Sequence, residues 1–533
     1  MKLTIVNIYT PVFNQCMDLR GFIMAFQPIL KQHFSDEANQ GLYLSLCCFI
    51  TLVLAFKLSR GKQYSNLPPS PPKLPIIGHL HRLGPLLHRS FRDLSNEYGP
   101  LLLLQVGRIP ALLVSSADLA KQVLKAHDID FANRFQGAAA RVISYGCRDI
   151  FASDYGESWR QKRKLCVLQL LSLKMVRSFQ FIRDDEIQDL ISNIRETYWR
   201  SNGSCSVNMS EMLSAASNNI ICRCIIGHKF KTKESSRLGN LARREIIHLG
   251  DISLGDVFPS LSWVDYVTGK VRKFKRSFAE LDRFFDEVIA EHKAAKKDDD
   301  ERKDFVDILL QTGHQLDFEL DQDSFKAILM DMFLAGNDTT STTMEWAMSE
   351  LMSHPSTMEK VQKEIRTVVG SKSKIEESDI NKMQCLKCVI KETLRLHPPL
   401  PLLIPRRTNK HEEVGGYDVP PKTMVFVNPW AIQRDPQVWE RPEEFVPERF
   451  EQREIDLKGQ DFEYIPFGSG RRICPGMAFG LASLDYELAN LLHWFDWKLP
   501  SSGCDVDMGE TFGLVVKKTM PLYLQPKPYL VPM

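Results

Sequence analysis

Cys474 is the first residue whose surroundings point to chemistry. It lies in the run Phe467-Gly-Ser-Gly-Arg-Arg-Ile-Cys474-Pro-Gly, which leads into the small-residue helical stretch MAFGLASLDYELANLL. Glycines 468, 470 and 476 let the backbone turn tightly around something bulky, and a cysteine at the start of a helix has its thiolate stabilised by the helix dipole and nearby amides. Such a thiolate is suited to ligating a metal. A second constellation, Ala335-Gly-Asn-Asp338-Thr339-Thr340, sits inside a long helical segment from about Ser324 to His354 that Pro355 stops. Its glycine, together with a threonine hydroxyl able to take the carbonyl one turn back, weakens the helix locally, so a kink is expected here. A third, Glu392-Thr-Leu-Arg395, places opposite charges at i and i+3 on one helix face. Cys385 and Cys388 also form a CxxC, but no small strand-helix unit precedes them, and they read as buried small side chains rather than a redox pair.

Phe467, Gly470, Arg472, Cys474 and Gly476 match the haem-binding signature FxxGxRxCxG at every defined position, so the chain resembles the cytochrome P450 superfamily. The resemblance runs over about 450 residues, with Glu392…Arg395 as its ExxR and Pro447-Glu-Arg449-Phe as its PERF-like element. It implies that Arg449 joins the Glu392–Arg395 pair and that the three support the haem loop. It implies heme b with Cys474 as axial thiolate, Phe467 and Gly476 beside the cofactor, and propionates held by Trp159 and Arg163 of the WxxxR, Arg406 and Arg472. Asp338 and Thr339 become the catalytic pair, relaying protons needed to split dioxygen. Pocket walls are expected from the 135 to 150 loop, from Phe333 and Ala335, from Leu402 to Ile404, and from Phe512 to Val515 with Leu514 among them. These are apolar, which favours a hydrophobic substrate.

By the same resemblance the chain is a monooxygenase that takes electrons one at a time from an NADPH-cytochrome P450 reductase. No GxGxxG opens a strand-helix unit, so the electrons must come from a partner. Arg160, Lys162 and Lys164 read as solvated and, with Arg471, as a basic face for an acidic reductase. The AGNDTT and PFGSGRRICPGMAFG motifs look most like the plant A-type microsomal group, whose substrates are terpenoids, phenylpropanoids, alkaloids and amino-acid derivatives. Two rivals are a haem-thiolate isomerase or lyase and a non-enzymatic haem sensor. The first typically lacks the helix threonine, and the second has no need of Asp338 and Thr339.

The scaffold for these residues is read from the rest of the chain. Its 533 residues are 44% hydrophobic and 25% charged, the proportions of a packed globular protein. A net charge of +2 offers no field for nucleic acid. Twelve cysteines are too sparse and irregular for a disulfide framework. Asn202, Asn208 and Asn337 head formal glycosylation sequons, meaningful only in a lumenal chain. Gly41 to Phe56 carries no charge and is extended by Leu58; Lys57, Arg60 and Lys62 come directly after it. This reads as an uncleaved transmembrane anchor over 41–58, rather than a secretory signal or a core helix, with residues 59–533 on the cytosolic side of the endoplasmic reticulum membrane. Residues 1–40 receive no assignment. Residues 59–75, with five prolines between Pro68 and Pro75, read as a stiff hinge, and 76–533 as one catalytic domain. Apolar spacing of three and four predicts helices over 115–127, 159–174, 270–293, 323–353, 357–369, 380–396 and 476–494, and LLLLQV, PALLVSS, TMVFVN and LVVKK read as strands. The expected class is mainly α with a small β-sheet, the cytochrome P450 fold.

Overall fold

The computed structural model describes residues 64–229, 232–295, 302–313, 320–453, 455–500 and 505–529, with Ser45, Cys48 and Thr51. It divides into two compact units, 1–65 and 66–533. The expected anchor lies outside the described residues except at those three positions, which carry helical backbone. Among the described residues no single helix is long and apolar enough to cross a membrane. In the larger unit the proline-rich stretch is not a free spacer. Pro68 and Pro71 are buried, the Leu103 amide donates to the Pro69 carbonyl at 2.9 Å, and His79 Nε2 lies 2.8 Å from the Pro71 carbonyl.

Apolar side chains on both faces of LLLLQV and PALLV build a buried hairpin, β1 (Leu101–Val106) and β2 (Ile109–Val114). The other strands of this sheet are β3 (Asn133–Arg134), β4 (Arg406–Arg407) and β5 (Met424–Val427), and the spatial order is β1-β2-β5-β4-β3. β2 and β5 run parallel with Ala111 opposite Met424. β3 and β4 run antiparallel with Arg134 opposite Arg406, so the register sets two arginines side by side. LVVKK contributes only Lys517–Lys518, paired with Glu510–Thr511.

The helices that build and support the site are α1 (Leu87–Tyr98), α2 (Glu157–Leu165), α3 (Gln180–Arg200), α4 (Met209–Ile226), α5 (Thr232–Leu249), α6 (Lys270–Ala294), α7 (Gln322–Ser353), α8 (Pro355–Val369), α9 (Gln384–Leu396) and α10 (Met477–Trp494). The expected helix at 159–174 is α2 followed by a wider π-helical turn at Cys166–Leu170, and the one at 115–127 likewise widens at Gln122–Ala126. α3, α4 and α5 carry no period that the sequence reading caught. α7 is buried on nearly all sides and is capped by Asp321, whose carboxylate accepts from the Ser324 amide at 2.9 Å. It crosses α4 closely: a Cβ on Gly336 would stand 2.8 Å from Ile221 Cδ1. Asn337 is buried in the same crossing, 3.4 Å from Asn218, which removes it as a glycosylation site. α7 continues without interruption through AGNDTT. Thr339 Oγ1 donates to the Ala335 carbonyl one turn back, the bond from which the sequence predicts local weakening, and the helix stays continuous through it.

α9 carries the charged core. Glu392 Oε2 accepts from Arg395 Nε at 2.7 Å, and Oε1 accepts from Arg395 Nη2, Arg449 Nε and the Val446 amide at 2.9, 2.9 and 2.8 Å. Arg395 also donates to the carbonyls of Gln433, Pro442 and Glu444. Gln433 donates to the Leu394 and Arg395 carbonyls and accepts the Ile465 amide at 3.1 Å, two residues before Phe467. The ion pair thus reaches the cysteine loop through one amide side chain. Glu392→Gln leaves two buried guanidiniums without their counter-charge, a loss of about 3 kcal/mol or more. Thermal unfolding of the variant should show it, together with a reduced yield of haem-loaded protein.

Candidate active site

The cysteine loop crosses the wall of a cavity of about 280 Å³. Phe467, Gly468, Cys474 and Gly476 line one side, and Ala335, Gly336 and Thr339 of α7 are also in the wall. Two positions in the loop require glycine. Gly468 and Gly470 have φ of 72° and 70°, and a Cβ on Gly470 would fall 2.1 Å from the Leu124 carbonyl oxygen. The turn is closed by the Cys474 amide, which donates to the Phe467 carbonyl at 3.0 Å. α10 then starts after its cap residue, Gly476.

Burial pushes the Cys474 thiol up, while the Gly476 amide and the Arg163 guanidinium pull it down. The expected stabilisation by a nearby amide is present, with the Arg163 cation adding to it, but the two do not outweigh desolvation. A bound metal would complete the thiolate, as metal binding deprotonates its ligand.

Four buried or mostly buried arginines face the same cavity. Arg406 donates to Asp128 Oδ1 at 2.9 Å and to the Ser469 carbonyl at 3.0 Å. Arg472 donates to the carbonyls of Ala132, Ile150 and Ser153, and Arg163 to that of Ile473. Arg134, which the sequence reading did not single out, donates to the Phe151 and Ile404 carbonyls. Burial lowers all four, and neighbouring arginines add to the fall in Arg134 and Arg472, the latter to about 9. This cluster, bonded chiefly to carbonyls, lacks a matching set of anions. A dianionic macrocycle carrying two carboxylates, set against a thiol and an apolar helix face, fits that deficit, so the residues present suit haem. Trp159 stands behind the cluster: its indole N–H donates to the Ile150 carbonyl at 3.0 Å and its ring lies 4.2 Å beneath Arg472. It is not part of the cavity wall and backs Arg472 from behind.

α7 divides its residues by the 100° turn between successive positions. Thr339 faces the cavity and donates to the Ala335 carbonyl at 2.7 Å. Asp338 turns away, and its Oδ1 accepts from Lys517 Nζ at 2.5 Å, so the expected acid-alcohol pair is split between two faces. Phe333 likewise packs edge-on to Phe285 of α6 at 6.0 Å rather than lining the cavity. Ala335, Ile404, Leu514 and Val515 do line it. Leu402 does not, because Leu403 adopts a φ of 52°, which reverses the chain and turns Leu402 into the sheet core with Phe91. Phe512 stacks on His88 of α1 at 6.1 Å instead. The expected 135 to 150 loop lines the wall through Ile143, Ser144, Asp149 and Ile150, and residues the sequence did not single out join it: Asp331, Ile246 and Leu249 of α5, and Ile221 of α4.

The basic face is smaller than expected. Arg160 and Lys164 are exposed, Arg160 pairs with Glu157, and Arg471 is half-exposed. Lys162 is buried and donates to the Arg148 carbonyl, since it shares the inward face of α2 with Trp159 and Leu165. Cys388 is buried and Cys385 half-buried, and neither is in a disulfide.

The Cytochrome P450 family model matches residues 68–526. Phenylacetaldehyde oxime monooxygenase from Prunus mume is 49% identical over 508 residues, covering 93% of this chain and 96% of that one. Strychnine-11-hydroxylase from Strychnos nux-vomica is 42% identical, over 91% and 97% of the two chains. A zebra fish cytochrome P450 solved with abiraterone superposes with a TM-score of 0.72 at 27% identity, over 84% of this chain and all of that one. These likenesses take in the small sheet, the long helix and the Cys474 loop together, and the chain therefore belongs to the cytochrome P450 family, in its plant A-type group, and is a haem-thiolate monooxygenase.

Proposed function

We propose that this enzyme inserts one oxygen atom of dioxygen into a hydrophobic small molecule of plant specialised metabolism, with electrons from an NADPH-cytochrome P450 reductase. The observation that carries the proposal is one apolar cavity with Cys474 and Thr339 both in its wall. Bound haem supplies the activation of dioxygen, with the thiolate favouring O–O cleavage. The chain supplies the rest. Cys474 would hold the iron, and Arg134, Arg163, Arg406 and Arg472 would receive the propionates. Ala335, Leu403, Ile404, Leu514 and Val515 exclude water and orient an apolar substrate. Thr339 passes protons by exchanging its bond to the Ala335 carbonyl for one to a water. The phenylacetaldehyde oxime and strychnine in the names of two relatives favour a specialised-metabolic substrate that carries an aromatic ring. An isomerase or a haem sensor is disfavoured by Thr339 in the cavity wall.

The reductase is read as docking near the exposed Arg160, Lys164 and Arg471, without Lys162. Attachment to the endoplasmic reticulum membrane is read from residues 41–58, with the catalytic domain in the cytosol. Trp263, Tyr266 and Val267 are 60%, 68% and 77% exposed, which favours additional surface contact with lipid.

Cys474→Ser should abolish the reduced carbon monoxide band that gives the family its name, because a hydroxyl cannot supply a soft, strongly donating thiolate. Persistence of that band would place the ligand elsewhere. Thr339→Ala should leave NADPH consumption near normal, while product per NADPH falls about tenfold or more and hydrogen peroxide per NADPH rises. Equal losses of product and NADPH use, with no extra peroxide, would make Thr339 a packing residue. Deleting residues 1–62 should release the haem-loaded domain from membranes on alkaline carbonate extraction. Full resistance to extraction would defeat the anchor assignment.

A further inference from the structure

The cavity wall contains a feature that holding haem does not call for. Asp149 and Asp331 are the only carboxyls among the described lining residues, and they meet each other. Asp331 lies on α7 eight residues before Thr339, so Asp331, Ala335 and Thr339 form one helical row along the cavity. Asp331 Oδ2 accepts the Ile150 amide at 2.8 Å. Asp149 Oδ1 accepts the amides of Ala152 and Ser153 at 2.9 and 3.0 Å. Asp149 Oδ2 is buried with no protein N–H or O–H donor, and the group it faces is another carboxyl. A proton shared between the two acids would satisfy that oxygen. Burial raises both groups, Asp149 to about 6 and Asp331 well above the usual carboxylate range, consistent with a pair that carries a single negative charge near neutrality.

The other polar groups of this part of the wall are largely engaged. The hydroxyls of Ser144, Thr339 and Thr343 donate to the carbonyls of Ala140, Ala335 and Thr339 at 2.5, 2.7 and 2.9 Å. The carboxyl pair is different: its proton is held between the two acids, and unused carboxyl lone pairs remain to accept a bond from a ligand's O–H. Its single charge is already faced by Lys162, and Arg134 and Arg472 also act on Asp149. A further cation would meet this positive surround, whereas a neutral hydroxyl or oxime would not.

Resting on the monooxygenase reading, we infer that Asp331, paired with Asp149, is the polar recognition point of the substrate cavity and selects a substrate bearing a neutral hydrogen-bonding group such as a hydroxyl or oxime. Eight residues of helix separate it from Thr339, about 12 Å along the axis. The recognised group and the oxidised carbon therefore lie at opposite ends of an elongated apolar molecule.

The test uses the full-length, haem-loaded enzyme and three probes, phenylhexanol, phenylhexane and phenylhexyltrimethylammonium, titrated by the Soret shift. In Asp331→Ala the ratio of the alcohol's Kd to the hydrocarbon's should rise about tenfold over wild type, the worth of one hydrogen bond, while the hydrocarbon's own Kd stays within about twofold. Asp331→Asn keeps an acceptor for the Ile150 amide and should shift the ratio about threefold. It decides the matter if the alanine variant does not hold haem. An unchanged ratio overturns the proposal. So does equal weakening of alcohol and hydrocarbon, which would make the pair only a latch between the 149–153 loop and α7. A larger loss for the ammonium probe than for the alcohol overturns the choice of a neutral group. The reduced carbon monoxide band, read in the same samples, separates any of these failures from failure of the haem-thiolate reading.

Discussion

The Glu392 carboxylate holds two guanidiniums out of water, and much of the site depends on that arrangement. With both oxygens bonded and no exposed side-chain surface, it fixes Arg395 and Arg449, which in turn fix carbonyls from Gln433 to Glu444. The charges are costly to bury singly and tolerable only together, so α9 and the 433–449 segment assemble as one piece. Gln433 carries that order onward to the Ile465 amide and hence to the start of the Cys474 loop. A loop whose glycines adopt left-handed conformations has little local preference of its own, and its shape comes from this support and from the Leu124 carbonyl packed against Gly470.

On the far side of the loop the electrostatics run the other way. In the Glu392 network both guanidiniums share one carboxylate, whereas Arg134, Arg163, Arg406 and Arg472 share few anions, and neighbouring arginines depress Arg134 and Arg472. The polypeptide tolerates this because each guanidinium is tied to backbone carbonyls, which satisfy N–H groups without cancelling charge. Such a wall is prepared for a ligand that brings its own negative charge. The fold therefore separates two uses of arginine, one as a structural cross-link and one as a receptor.

What was legible in the sequence obeys the same division. The Cys474 loop, the Glu392–Arg395 pair and the amphipathic helices α6, α8 and α9 were readable because their constraints are local, set by fixed spacing or a single apolar stripe. α4 escaped because its buried face includes Ser217 and Asn218 and apolar residues occur around most of its circumference, which leaves no period. Arg134 escaped because a two-residue strand carries no pattern, and only the pairing of β3 with β4 brings it to Arg406. Phe333, Leu402 and Phe512 had the right composition for a pocket but the wrong direction, which depends on a helix rotation, a left-handed residue at Leu403 and a stacking partner distant in sequence. Lys162 looked solvated because a lysine's charge hides the fact that its helix face points inward.

α7 shows most directly how one element divides chemistry by angle. Its cavity row, Asp331, Ala335 and Thr339, presents an acid, an open methyl surface and a hydroxyl to the same space. One step of 100° moves Asp338 out of that space and onto Lys517, where its charge holds the terminal hairpin to the helix. Gly336, on another side, lets α4 approach. The acidic residue next to Thr339 in sequence thus stands outside the cavity wall, with one oxygen on Lys517 and the other buried without a protein donor, while the acids in the cavity, Asp149 and Asp331, are far in sequence and adjacent in space. Sequence adjacency in a buried helix separates functions, and the i, i+4, i+8 row joins them. The polar character of this pocket therefore has to be sought along that row, which extends beyond the AGNDTT motif to Asp331.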